Sequence, residues 1–203
     1  MKKDMESYTE APSETLKKTD RRRRYTQSVI KEAFLALLRA RPISKISVTE
    51  ICKLADINRG TFYLHYLDPY DLLEKLEAQH SAVMIESISR TLLADESNQH
   101  IFNLSALIYK AIQADETLHL LISTQPSAYN IRQRLLTGLA PIIKPRLVSR
   151  GFTEVEASAV YVFLFSGYQA VDTYLREKKA SEKEAKVAID AVSAIVKKGL
   201  LVR

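Results

Sequence analysis

The sequence predicts an all-α fold, and three observations carry that prediction. Apolar residues recur at three- and four-residue spacing along most of the chain, with no sustained alternation. Only 5 glycines are spread over 203 residues, too few to punctuate a series of short strands. Three Ser/Thr-x-x-Glu boxes mark helix starts, pairing Ser47 with Glu50, Thr153 with Glu156 and Ser181 with Glu184. About nine helices are expected.

Residues 1–20 are polar and lack periodicity, so they are expected to form a disordered arm. The first helix is expected from about Arg24 to Arg41, with Ile30, Phe34, Leu37 and Leu38 on one face and Ala33 beside them. Pro42 ends it, because proline lacks the N–H and disfavours a helical residue before it. The Ser47 box opens a short helix whose inner side is Val48, Ile51, Cys52 and Ala55. Asp56-Ile57-Asn58 is a tight turn, and Asn58 caps a third short helix. Asp68 and Pro69 suit the N-cap and first position of a long helix running toward Leu93. Two shorter helices follow near 99–114 and 117–123. Another runs from Pro126 to Ser149, where Pro141 and Pro145 are expected to kink or split it. The remaining boxes open an apolar helix over about 154–178 and a last helix with Ala188, Val192, Ile195 and Val196 on one face. Gly199 suits its end.

Composition bounds the setting. The single cysteine, Cys52, forbids an internal disulfide and suits a reducing, cytoplasmic environment. The N-terminus shows no signal-peptide pattern, and the longest apolar run, "AVYVFLF", is far short of a membrane span of roughly 18 residues. Net charge is +6, and it is unevenly placed. Residues 1–66 hold 14 Lys/Arg against 8 Asp/Glu, a difference of +6, and residues 67–203 hold 16 of each. Such asymmetry suggests a polyanion-binding module joined to a neutral one. The run "RRRR", Arg21 to Arg24, is either a solvated tail or a minor-groove contact, and the sequence does not choose. The remaining basic excess includes Arg39, Arg41, Lys45, Lys53 and Arg59.

Two short helices around a tight turn match the helix-turn-helix pattern. Ile51, Ala55, Ile57, Phe62 and Tyr66 are expected to supply the buried contacts, covered by Ile30, Phe34 and Leu38. The helix after the turn would lead into the major groove. Arg59 can there pair two ways with guanine, and Gly60 leaves the backbone free to approach. Thr61 offers a hydroxyl and a methyl to a base edge. Tyr63 and His65 can donate to phosphates, and Ser47 and Thr49 sit at the start of the preceding helix, also toward the DNA. Each has an ordinary alternative: Arg59 a solvent-facing cation, Tyr63 a core residue, His65 a structural or surface histidine.

The segment "VTEICKLADINRGTFYLHYLDPYDLL" resembles the DNA-binding segment of the TetR/AcrR family of bacterial transcriptional regulators. Spacing, apolar positions and polar positions agree over about residues 24–75, with "GTFYLHY" carrying most of the likeness. The resemblance implies three domains of organisation: an arm over 1–20, a helix-turn-helix DNA-binding domain over 21–67 and a ligand-binding and dimerisation domain over 68–203. It implies a homodimer joined through the last two helices, binding a palindromic operator in double-stranded DNA and released by a small-molecule effector, hence a repressor. Base contacts would fall to Arg59, Gly60, Thr61 and Thr49, and phosphate contacts to Ser47, Tyr63, His65, Arg23 and Arg24. The chain departs from the family where Asp56 replaces a glycine, Pro69 a lysine and Tyr66 a phenylalanine. Pro69 and the "APIIKPR" segment leave open a second reading, a TetR-like coactivator acting through a partner protein.

Other chemistry finds little support. His65, His80, His100 and His119 are scattered without metal-ligand spacing. No nucleophile, phosphate-loop or dinucleotide motif occurs, so neither an enzyme nor a cofactor is expected. Aromatics on the later helices, among them Tyr109, Tyr129, Phe163 and Tyr168, are candidates to line an effector pocket, although each singly is more often core or interface.

Overall fold

The computed structural model describes residues 14–94 and 104–200. Within them are nine α-helices, one 3-10 turn and no strand. The chain divides into two compact units at Leu72/Leu73.

The first unit contains α1 (Glu14–Ala40), the 3-10 turn Ile43–Lys45, α2 (Val48–Leu54), α3 (Arg59–Tyr63) and the first turn of α4 (Pro69–Ala94). The first helix starts at Glu14, ten residues before the expected Arg24. Residues 14–24, ETLKKTDRRRR, have no apolar stripe, but most are good helix formers, and Asp20 pairs with Arg24 one turn on. Residues 14–20 are therefore helical rather than part of an arm, and "RRRR" is an exposed helical stretch. The expected arm over 1–13 lies outside the described residues.

Ile30, Phe34 and Leu38 of α1 are buried with Ile51 and Cys52 of α2 and with Phe62 and Tyr66. Phe62 is fully buried, with its ring 5.7 Å from that of Tyr66. Ala55 and Ile57, expected inside, are only half-buried. Ile43 and Ile46, either side of the 3-10 turn, are buried in addition. They follow the chain reversal at Pro42, where no helical period exists to reveal them.

The second unit holds the rest of α4 with α5 (Leu104–Gln113), α6 (Glu116–Ser123), α7 (Gln125–Val148), α8 (Glu154–Glu177) and α9 (Glu182–Leu200). Helices α4 and α7 run alongside each other in the same direction. Asn130 Nδ2 donates to Glu77 Oε2 (2.9 Å), and Arg146 Nη2 donates to the Leu92 carbonyl (3.0 Å). Between them a Cβ on Gly138 would stand 2.5 Å from Ile85 Cδ1, so glycine permits the close approach of this pair. His80 on α4 meets the carboxylate of Asp115, which also caps α6 by accepting from Leu118 N (2.9 Å).

Pro141 and Pro145 do not split α7, which is unbroken from Gln125 to Val148. Each proline removes one internal hydrogen bond, while the buried stripe Ile131, Leu135, Leu139, Ile143 and Leu147 continues through both. Packing along that stripe outweighs the two lost bonds.

Helix α8 buries Ala157, Tyr161, Phe165 and Tyr168, and the Tyr161 hydroxyl donates to the Leu136 carbonyl of α7 (2.8 Å). Burial pushes the Tyr161 phenol up from its usual pKa. The opposite face of α8 is apolar yet exposed, through Val155, Val162, Phe163 and Tyr174. On α9 the buried residues are Ala185, Ile189 and Ser193, whereas Ile195, which shares a face with Ala188, Val192 and Val196, is 72% exposed. The Thr153 and Ser181 boxes both form, with Thr153 N to Glu156 Oε2 at 2.9 Å and Ser181 N to Glu184 Oε2 at 2.8 Å. No helix among the described residues is long and apolar enough to cross a membrane.

Candidate nucleic-acid interface

Helix α2 is fixed at both ends by its own sequence. At its start the Ser47 hydroxyl receives Glu50 N (3.3 Å), and Glu50 Oε2 receives Ser47 N (3.0 Å) and Ser47 Oγ (2.7 Å). Arg41 Nη2 donates to the other Glu50 oxygen (2.7 Å), tying the end of α1 to the start of α2. The hydrogen bonds from the Ser47 side chain and backbone, then the Arg41 guanidinium, hold the Glu50 carboxyl down at about 2 against an ordinary 4.5. A folded-state value below the unfolded one stabilises the fold above pH 4.5, and that contribution drains away as pH falls toward 2. Acid titration followed by circular dichroism should therefore show the Tm falling over this window in the natural chain. Glu50→Gln, which keeps the cap but loses the charge, should have a lower Tm at neutral pH and a flatter profile.

At the other end of α2, Ile57 N donates to the Cys52 carbonyl (3.1 Å), a bond that needs the residue between helix and turn to be left-handed. Asp56 takes that conformation with φ 51°. The turn thus survives without glycine, because aspartate tolerates this region better than most residues. Asn58 then caps α3, its Oδ1 receiving Thr61 N (2.7 Å) and Thr61 Oγ1 (3.0 Å). A Cβ on Gly60 would lie 3.3 Å from the same Oδ1, so glycine relieves crowding at the cap as well as baring the backbone.

The exposed face of α3 carries Arg59, Gly60 and Tyr63, with Leu64 directly after. Arg59 Nη2 donates to the Tyr63 hydroxyl (3.2 Å), and its guanidinium lies 5.9 Å from the Tyr63 ring centre. The sequence assigned these two residues separate tasks, and the fold couples them: Tyr63 steadies the cation one turn ahead of it. Leu64, 80% exposed, was missed. Its place four residues after Gly60 was the available signal, because that spacing puts it on the same helical face.

The other expected contacts are distributed as follows. Thr49 is exposed on the first turn of α2, and Ser47 is exposed but spends its hydroxyl on the Glu50 cap. Thr61 is half-buried and spends its hydroxyl proton on Asn58, leaving the methyl. His65 is half-buried, with its ring 6.2 Å from that of Tyr66. Arg23 and Arg24 are exposed on α1, and Arg24 pairs with Asp20. Pro69 is buried as the first residue of α4, while Asp68 Oδ1 receives both Tyr70 N and Asp71 N at 2.8 Å.

A cavity of about 40 Å³, with a mouth open to solvent, lies in the second unit between α5, α6, α7 and α8. The four aromatic candidates do not converge on it. Tyr168 lines it, Tyr129 lines an adjoining groove and Tyr109 a separate groove between α5 and α9. Phe163 is 72% exposed on the outer face of α8, because the periodicity of an apolar helix does not say which side is covered. Among the described residues no group of His, Cys, Asp or Glu is arranged to hold a metal ion.

A short capped helix set across a tight turn from another, on a basic three-helix unit, defines a helix-turn-helix protein. The comparisons with known proteins agree. The chain is similar to a protein assigned to the TetR-family transcriptional regulators from Syntrophomonas wolfei, with a TM-score of 0.65, 20% identity and coverage of 90% of this chain and 96% of that one. It is similar to the fatty acid degradation regulator FadR from Bacillus halodurans, with a TM-score of 0.62, 17% identity and coverage of 84% and 94%. Over 48 residues it is 42% identical to YxbF of Bacillus subtilis, an uncharacterised HTH-type transcriptional regulator. That match spans 24% of this chain and only 13% of the relative's length. No family model matches the chain. The chain thus has the fold of the TetR-family transcriptional regulators.

Proposed function

We propose that this chain is a DNA-binding transcriptional regulator that works as a homodimer and is released from its operator by a small molecule. The observation that carries this reading is the α3 surface. An arginine held on a tyrosine, a bare glycine and no acidic side chain share one exposed face, on the part of the chain that holds all the excess positive charge. Arg59 reads a guanine, and Gly60 and the Thr61 methyl allow close approach to the groove. Thr49 adds a base contact, and Leu64 presents an apolar surface suited to a thymine methyl or a sugar. Tyr63, His65, Arg23 and Arg24 engage phosphates and fix register, whereas both Ser47 donors are taken by Glu50.

The outer faces of α8 and α9 support the dimer. Val155, Val162, Phe163 and Tyr174 on α8, with Val187 and Ile195 on α9, form exposed apolar stripes at helical spacing. Two copies would pair these stripes about a two-fold axis and set two reading helices roughly 34 Å apart, in successive major grooves. The second unit takes the effector, and α4, which starts in one unit and continues in the other, carries the change. The effector acts only by its differential affinity for the two states.

Fluorescence anisotropy on selected operator DNA tests the proposal. Affinity should fall steeply with salt, as counterion release requires. Arg59→Ala should weaken the operator about 5- to 150-fold, the cost of a lost bidentate base contact of about 1–3 kcal/mol, and leave random DNA nearly unchanged. Tyr63→Phe should weaken both DNAs, and the operator more, because the lost hydroxyl also holds Arg59. Binding that requires a partner protein would favour the coactivator reading.

A further inference from the structure

We infer that the open groove between α5 and α9 binds a nucleoside polyphosphate, its base on Tyr109 and its phosphates among Lys110, Lys183 and Lys186. This deepens the effector-responsive reading by giving the ligand a site and a class, and rests on it for the ligand's regulatory role. Room selects the groove. The α5–α8 cavity, at about 40 Å³, holds a few waters at most. The groove offers about 740 Å³, within the ~300–1,000 Å³ usual for ligand sites.

The floor of the groove is apolar and its rim is charged. Ile189 of α9 is buried there, and Tyr109 of α5 is half-buried. A half-buried ring lining a groove is a platform on which a planar group can stack. Three ammonium groups stand on the rim, Lys110 from α5 and Lys183 and Lys186 from α9. All three are exposed, and none has an ion pair or hydrogen bond among the described residues. Lys186 has Glu182 four residues before it and Asp190 four after, the spacing of helical ion pairs, yet it pairs with neither. Lysine is a compact point charge, so three of them suit the spread charge of a phosphate chain. The fork of an arginine, which suits a planar carboxylate, does not occur among the described lining residues. Glu182 and Asp190 also line the groove, and they can accept from the hydroxyls of a ribose. Gln113 offers both a donor and an acceptor to a base edge. A stacking ring, acceptors and cations in one groove fit a nucleotide better than a bare anion or a bare aromatic. On α9 these residues are centred about a third of a turn from Val187 and Ile195, so pairing of the exposed stripes leaves the groove open.

Calorimetry on the full chain without DNA tests this with four probes: ATP, GTP, adenosine and inorganic triphosphate. ATP or GTP should bind at one site per chain, at least tenfold more tightly than adenosine and than triphosphate. Lys183→Gln combined with Lys186→Gln should weaken that binding at least tenfold. Tyr109→Ala should weaken it about 5- to 150-fold, the ~1–3 kcal/mol of one base–aromatic stack, and Tyr109→Phe should keep it. Both lysines are exposed, so the double variant should fold, and a thermal melt checks that it does. Three results would overturn the inference: no binding of either nucleotide, triphosphate or adenosine bound as tightly as the nucleotides, or an unchanged lysine double variant, which would put the binding elsewhere on the chain. Because DNA is absent from the cell, this result stands apart from the DNA-binding result: nucleotide binding with no operator binding would fault the regulator reading alone, and the converse would fault this one alone.

Discussion

Phe62→Ala is expected to abolish DNA binding while leaving the second unit folded. Phe62 is fully buried beside Tyr66, in a core shared with Ile30, Phe34 and Ile51. Removing a buried phenylalanine costs about 3–5 kcal/mol, and a unit this small has roughly 3–5 kcal/mol to lose. No compensating contact is available, since α3 has only five residues and is held by Phe62 and its Asn58 cap. Hydrogen exchange should show amides of residues 48–66 losing protection while those of α7 keep theirs. Operator affinity should fall at least a hundredfold. Phe62→Leu, which keeps much of the volume, should retain most of it.

Phe163→Glu is expected to break the proposed dimer. Phe163 lies on the exposed stripe of α8, 72% exposed in the single chain, at a position where an aromatic would anchor an interface. A charge there would be buried without a partner on both sides of a two-fold axis, so its effect counts twice. Light scattering should show a monomer at concentrations where the natural chain is dimeric. Operator affinity should fall by more than tenfold, because two linked half-sites become one. The chain should stay folded, since Phe163 takes no part in the buried face of α8, which is made by Ala157, Tyr161, Phe165 and Tyr168.

The parts of the fold legible in the sequence are those set by local chemistry. The three capping boxes, the Asn58 cap, the Asp68-Pro69 start and the left-handed Asp56 are each decided within a few residues, and all form as expected. The early start of α1 was not legible, because helix propensity without an apolar stripe gives no period to detect. Nor was the survival of α7 across two prolines, which depends on burial by other helices. At the candidate interface, the residue types and spacing on α3 pointed to the face of Arg59, Gly60 and Tyr63, which is exposed. They did not show that Arg59 rests on Tyr63, that Ser47 and Thr61 spend their hydroxyls on caps, or that Leu64 shares the face. The cavity was the least legible part. Aromatic residues were the expected lining; of the four named only Tyr168 lines it, beside Phe165, four isoleucines and a leucine brought together by four helices.

Capture of genomic fragments by the purified chain, run beside Arg59→Ala, tests the central claim most directly. The account predicts that the natural chain retains a small set of fragments sharing a two-fold symmetric sequence, with half-sites about one helical turn apart. It predicts that Arg59→Ala loses that set while still holding DNA at low salt. Retention of no fragment at low salt, or of the same fragments by both proteins, would contradict it.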